Sequence, residues 1–119
     1  MMYINQPSVI IGKNQNVWAE VNVDYIRQHD IQLVRRTSGG GAVYHDMGNL
    51  IFENILVDDD TEFGNYAYFA KSVLAALQKL GIDVKMKENS SDLIFRDKKF
   101  SGMTMFKNGT SLAAADDYV

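Results

Sequence analysis

The chain has 119 residues, 46% of them hydrophobic, a formal net charge of −3 and no cysteine. That length fits one domain, which hides roughly two-thirds of its unfolded surface. The charge excludes a basic field for nucleic acid or a polybasic membrane anchor, and the missing cysteines exclude disulfides, thiolate metal sites and cysteine nucleophiles. No apolar run reaches membrane-spanning length, and Met1 to Asn5 lacks the basic start and apolar core of a signal peptide, so a cytoplasmic location is expected.

In chain order, Val9-Ile10-Ile11 after Pro7 reads as a short buried strand ended by Gly12, and Asn14 to Asn16 as a polar turn. Trp18, Val21, Tyr25 and Ile26 recur at helical spacing and predict one helix to Gln28. Ile31 to Arg36 reads as a strand that runs into Gly39-Gly40-Gly41. Ala42 to Met47 alternates and reads as a second strand. Gly48-Asn49 is a turn, and Leu50 to Val57 a third strand; the succession predicts antiparallel pairing. Asp58-Asp59-Asp60 reads as a helix start with Asp60 or Thr61 as cap, preferred over a metal site. The helix to Leu80 carries the stripe Tyr66, Phe69, Val73, Leu77 and Leu80, and Gly81 stops it. Ile82 to Met86 reads as a strand and Lys87 to Ser91 as a polar loop. Asp92 to Phe95 and Phe100 to Phe106 predict a hairpin around Arg96 to Lys99. Asn108-Gly109 predicts a reversal, after which Ser111 to Val119 is expected to complete little. There is no internal repeat and no linker.

The richest stretch is Arg35-Arg36-Thr37-Ser38-Gly39-Gly40-Gly41-Ala42-Val43-Tyr44-His45-Asp46. Each glycine loses more backbone freedom on folding than any other residue, so a triplet suits a backbone that must approach something closely. Two arginines beside it suggest an anionic partner, a carboxylate or phosphate. A P-loop would need lysine and a hydroxyl residue after the last glycine, then a helix; Ala42-Val43 and a strand come next instead. A dinucleotide fingerprint would need glycine at position 44, where tyrosine stands. A binding loop and a tight turn between strands both remain on spacing alone. His45 is on its own more often a buried, hydrogen-bonded imidazole than a ligand or base, and Asp46 reads as a turn residue. Lys99, at the head of Lys99-Phe100-Ser101-Gly102, is by composition an ordinary exposed lysine.

Taken together, Arg-Arg-x-Ser-Gly-Gly-Gly-Ala-Val-x-His-Asp, then Gly-Asn-Leu, then Lys-x-Ser-Gly, resembles the lipoate–protein ligases, as does Gly12-Lys13-Asn14-Gln15-Asn16. The resemblance spans about residues 7 to 102. It implies a catalytic domain of the biotin/lipoate ligase type, a mixed α/β fold with a largely antiparallel sheet flanked by helices. It implies ATP-dependent activation of lipoate to lipoyl-AMP, then transfer to a lysine of a lipoyl carrier domain of a 2-oxoacid dehydrogenase or glycine cleavage protein. It implies that Arg36 and Ser38 line the lipoyl site, that Gly39, Gly40 and Gly41 wrap the acyl-adenylate, and that His45 sits beside them. Lys99 would hold the carboxylate and α-phosphate oxygens, and Asp92 would help hold magnesium. Octanoyltransferases of related fold work through an acyl-cysteine, which this chain lacks. Biotin ligases carry an alternating arginine–glycine loop in place of Ser-Gly-Gly-Gly.

The pattern also departs from the family. The strand and helix that usually precede the segment are missing, Ser111 to Asp117 holds no His-His-Gly-Thr-Leu-Leu, and the usual Asn-Asp pair reads Ser91-Asp92. Residues 1–119 are therefore expected to form a partial catalytic domain without the C-terminal accessory domain, with an open sheet edge that invites a complementing chain or a second copy. The alternative function is a non-catalytic fragment or paralogue that at most binds lipoate or nucleotide.

Overall fold

The structure, a computed structural model, describes residues 1–57, 63–109 and 111–118, with the backbone alone for 108 and 111–118. Its strands pair into three sheets. The largest is antiparallel: β5 (Leu50–Val57) lies between β1 (Met2–Tyr3) and β10 (Ser111–Tyr118), and β9 (Ser101–Asn108) lies outside β10. In the second, β2 (Ser8–Ile11) is central, with β3 (Gln32–Arg35) parallel on one side and β4 (Val43–His45) antiparallel on the other. The third is the antiparallel set β6 (Val84–Met86), β7 (Leu93–Phe95) and β8 (Lys98–Lys99). With helices α1 (Val17–Glu20), α2 (Val23–Gln28) and α3 (Tyr66–Lys79), this is the expected mixed, largely antiparallel α/β fold. Among the described residues β2–β3 is the one parallel pair.

Several local expectations need correction. The single helix over Trp18 to Gln28 is two. The backbone turns extended at Val21 (φ −133, ψ 132), and the Asn22 side chain accepts from Tyr25 N to start a second helix. Its stripe is not buried as a unit: Ile26 is in the core, whereas Trp18 is 76% exposed. The strands before and after the glycine loop are not neighbours. Both pair with β2, so the loop crosses the end of β2 instead of closing a hairpin. The hairpin near residue 96 is tighter than expected. Arg96 and Asp97 both have positive φ (49 and 62), the requirement of a two-residue turn matched to strand twist, and the Arg96 guanidinium covers the Phe95 ring at 4.9 Å. Lys98 and Lys99 therefore form the return arm, not the loop.

The reversal at Asn108-Gly109 is present, with Gly109 at φ 60. The segment beyond it completes more than expected. β10 pairs along all eight of its residues with β5 on one side and β9 on the other, and so forms a central strand of the sheet. A ladder of backbone hydrogen bonds is indifferent to side-chain type, which is why the non-alternating Ser-Leu-Ala-Ala-Ala-Asp-Asp-Tyr gave little strand signal.

α3 starts with Asn65, whose side chain accepts from Tyr68 N at 3.1 Å. The expected caps Asp60 and Thr61 lie outside the described residues. Phe69 and Ala70 are its buried positions, packed against Leu56, Phe52, Met103 and Leu93; Leu80, the C-cap, is 75% exposed. Gly81 leaves the helix at φ 79, the left-handed exit that glycine makes without a Cβ clash. α3 thus covers one face of the large sheet and leaves Ile51 and Glu53 on the other. No helix among the described residues is long and apolar enough to cross a membrane.

Candidate functional site

The glycine loop is held by hydrogen bonds that the two arginines donate. Arg35 Nη1 reaches the carbonyls of Gly12 (2.9 Å), Lys13 (3.1 Å) and Gln15 (2.8 Å). Arg36 donates from Nε to Ser38 Oγ (3.1 Å), from Nη1 to Ile10 O (3.2 Å), and from Nη2 to Gly39 O (2.8 Å) and Gly41 O (2.7 Å). The expectation that both arginines face an anion is thereby corrected. Arg35 Nη1 and the three Arg36 nitrogens donate to carbonyls and one hydroxyl of the chain itself. Arg35 is not part of the cleft wall, whereas Arg36 is. Because a trans peptide sets C=O and N–H on opposite sides, binding the Gly39 and Gly41 carbonyls turns the amides of Gly40 and Ala42 away from Arg36.

Two glycines are dictated by this packing. Gly40 has φ 100, and an added Cβ would lie 2.9 Å from Arg36 Nη2. At Gly12 an added Cβ would fall under 3.0 Å from the Gly40 carbonyl oxygen. Nothing in the chain stands within 4 Å of a Cβ on Gly39 or Gly41, so the fold does not demand glycine there. Gly12 N donates to Gln15 Oε1 (2.8 Å) and Lys13 N to Ser38 O (2.9 Å), which ties the Gly-Lys-Asn-Gln turn to the loop.

Opposite the loop stands Lys99. Its Nζ lies 2.9 Å from Asp92 Oδ1, with the lysine side chain 59% and the aspartate 20% exposed. Buried Ser101 holds this corner together: its Oγ accepts from Leu93 N at 3.1 Å, while Phe100 N donates to Leu93 O at 3.1 Å. The Ser of Lys-x-Ser-Gly therefore holds Lys99, on β8, beside Asp92, which immediately precedes β7, seven residues away in sequence. His45 is buried, and Asn5 Nδ2 donates to its Nδ1 at 3.1 Å. Asp46 and Asn49 exchange backbone and side-chain hydrogen bonds across the expected turn.

The glycine loop, His45, Asp92 and Lys99 converge on a cleft of ≈ 760 Å³ between the large sheet, the β2 sheet and the glycine loop. Arg36, Ser38, Gly39, Gly40, Gly41, His45, Asp92 and Lys99, the residues singled out from sequence, all line it. Its apolar wall includes Ile10, Val34, Val43, Ile51, Met103 and Met105, and its remaining polar wall includes Tyr3, Asn5, Glu53 and Thr104. Thr104 Oγ1 donates to Gly39 O across the cleft at 3.4 Å. Glu53, Asn5 and Thr104 carry no local motif; strand register brings in Glu53 and Thr104, and Asn5 lies in the connection between β1 and β2.

Comparison with known proteins gives the cleft a family. A family model for the lipoyl protein ligase A/B catalytic domain matches residues 1–113. The chain is 45% identical over 106 residues to lipoate-protein ligase LplJ of Bacillus subtilis and 48% identical over 107 residues to lipoate–protein ligase 1 of Staphylococcus aureus. These matches cover 89% and 90% of this chain, which spans 32% of the length of each relative. Among solved structures, a bi-partite lipoate protein ligase of Thermoplasma acidophilum, studied with its E2 lipoyl domain, has a TM-score of 0.89 at 32% identity, over 98% of this chain and 47% of that one. A lipoate protein ligase of T. acidophilum with bound lipoic acid (TM-score 0.86, 30% identity, 98% and 53% covered) and a lipoate-protein ligase A bound with ATP (0.88, 30%, 98% and 51%) are also similar. With its glycine loop, its lysine corner and 113 matched residues, the chain belongs to the lipoyl protein ligase A/B catalytic domain family.

Proposed function

We propose that this domain activates lipoate with ATP and passes the lipoyl group to a lysine of a lipoyl carrier domain. The observation that carries the reading is the meeting of the glycine loop, His45, Asp92 and Lys99 around one cleft with an apolar wall. An acyl tail fits between Ile10, Val34, Val43 and Ile51, and its carboxylate reaches Lys99. In the first step a carboxylate oxygen attacks the α-phosphorus, the new P–O bond forms, and pyrophosphate leaves. Lys99 offsets the charge of two anionic groups brought together and follows it as it develops. The amides turned away from Arg36 are donors for the acyl-adenylate. In the second step the carrier amine attacks the acyl carbon and AMP departs. No protein nucleophile is needed, in keeping with a cysteine-free chain.

Asp92 fits a magnesium ion that arrives with ATP. It is a hard oxygen donor on the cleft wall, and magnesium commonly takes one or two carboxylates plus phosphate oxygens. Among the described residues no group of three or more His, Asp or Glu side chains gathers to bind a metal without such phosphates. The ion would supply charge neutralisation at the phosphates; until then Lys99 occupies Asp92. A cytoplasmic setting and carriers of the 2-oxoacid dehydrogenase or glycine cleavage type belong to the same proposal.

The test is lipoate-dependent ATP–pyrophosphate exchange by the purified chain. Exchange is the expected result. Lipoate binding without exchange would overturn catalysis by this chain and favour a binding module.

A further inference from the structure

We propose that Glu53 reads the far end of the acyl substrate and selects a tail carrying hydrogen-bond donors, the dithiol form of the lipoyl group, over a plain alkyl tail. The proposal rests on the cleft being the acyl site. Phe52 and Leu56 of β5 pack under α3, so Ile51 and Glu53, which alternate with them, face the cleft. Register then measures where Glu53 stands relative to Lys99. A Cβ on Gly102 would lie 3.9 Å from Lys99 Nζ, so Gly102 marks the lysine end. Gly102 pairs with Asp117 and Asp117 with Ile51; two residues further along, Thr104 pairs with Ala115 and Ala115 with Glu53. Two strand spacings and a two-residue advance separate Gly102 from Glu53 by about 12 Å. An extended eight-carbon acyl chain spans about 10 Å at ordinary bond lengths. A carboxylate head at Lys99 therefore brings the tail tip to Glu53, past Ile10, Val34, Val43 and Ile51.

A carboxylate accepts hydrogen bonds and donates none. An alkyl tip that displaces its water returns nothing, which leaves a charged group desolvated and unpaired. The closed dithiolane ring also lacks donors, though its sulfurs are polarizable. The open dithiol presents two S–H donors. The expected order of affinity is dithiol, then ring, then alkyl.

Calorimetric titration of the full chain with dihydrolipoate, lipoate and octanoate tests this, in the wild type, Glu53→Gln and Glu53→Leu. The wild type should bind dihydrolipoate at least about tenfold more tightly than octanoate, the size expected when an acceptor in a site loses a weak S–H donor. Glu53→Leu should erase or invert that preference, and Glu53→Gln should narrow it; if the leucine variant does not fold, the glutamine variant carries the test. An unchanged ratio with all ligands still bound overturns the role of Glu53 alone. No binding of any of the three by the wild type overturns the acyl-site reading itself.

Discussion

Gly12→Ala adds one methyl group outside the glycine triplet, yet it should damage the loop. The new Cβ would lie under 3.0 Å from the Gly40 carbonyl oxygen, 3.1 Å from Gly40 C and 3.3 Å from Arg36 Nη2. The obstacle is mostly backbone, so no flexible side chain can swing aside; the loop must retreat by more than about an ångström to restore ordinary contact near 3.5 Å. That retreat strains Arg36 Nη2 on the Gly39 and Gly41 carbonyls and Lys13 N on Ser38 O. Overpacking of this kind costs about 1–3 kcal/mol. Urea unfolding should show a loss of that size, and lipoate affinity by calorimetry should fall by about tenfold, the equivalent of about 1.4 kcal/mol. If stability and lipoate affinity both match the wild type, the argument that Gly12 gives way to the Gly40 carbonyl is wrong.

Lys99→Ala should lower pyrophosphate exchange by about a hundredfold or more, the scale of losing one charge-stabilising group. Its melting temperature should barely move, because a half-exposed ion pair contributes about 0–1 kcal/mol; exchange at the wild-type rate would remove Lys99 from its role. Arg36→Lys keeps the charge but loses the fork that bridges Gly39 O, Gly41 O, Ser38 Oγ and Ile10 O. Lipoate binding should weaken as much as in Gly12→Ala, and the double variant should be less than additive, since both act on one loop geometry; full additivity would argue that Arg36 binds ligand independently. Ser101→Ala leaves the buried Leu93 amide unpaired and should cost about 1–3 kcal/mol in urea unfolding. A shift within error would mean that another acceptor replaces Ser101.

The parts legible beforehand were local. β2, β5, the body of α3, the turns at Gly48-Asn49 and Asn108-Gly109 and the exit at Gly81 each rest on side chains within a few residues and stand where periodicity or turn chemistry put them, whereas the start of α3 lies at Asn65, later than the expected Asp60 or Thr61. The helix over Trp18 to Gln28 failed because spacing alone did not weigh Asn22, whose side chain competes for the backbone and restarts the helix. The ending of the chain failed for the opposite reason. β10 is a strand because β5 and β9 stand on either side of it, a condition no short window contains.

The same division runs through the site. Residue order alone marked out the glycine loop, because a glycine triplet is compact and chemically unusual, whereas His45, Asp92 and Lys99 were named by the resemblance to the lipoate–protein ligases. Tertiary structure decided where each stands. Arg35 and Arg36 looked like anion receptors, yet folding brings Gly12, Lys13, Gln15, Gly39 and Gly41 carbonyls within reach of their donors. Glu53 had no motif, yet register across three strands sets it on the cleft wall about 12 Å from Gly102. Local signals record the preferences of a few neighbouring side chains, whereas hydrogen-bond partners and distances across a cleft depend on pairings between segments more than forty residues apart.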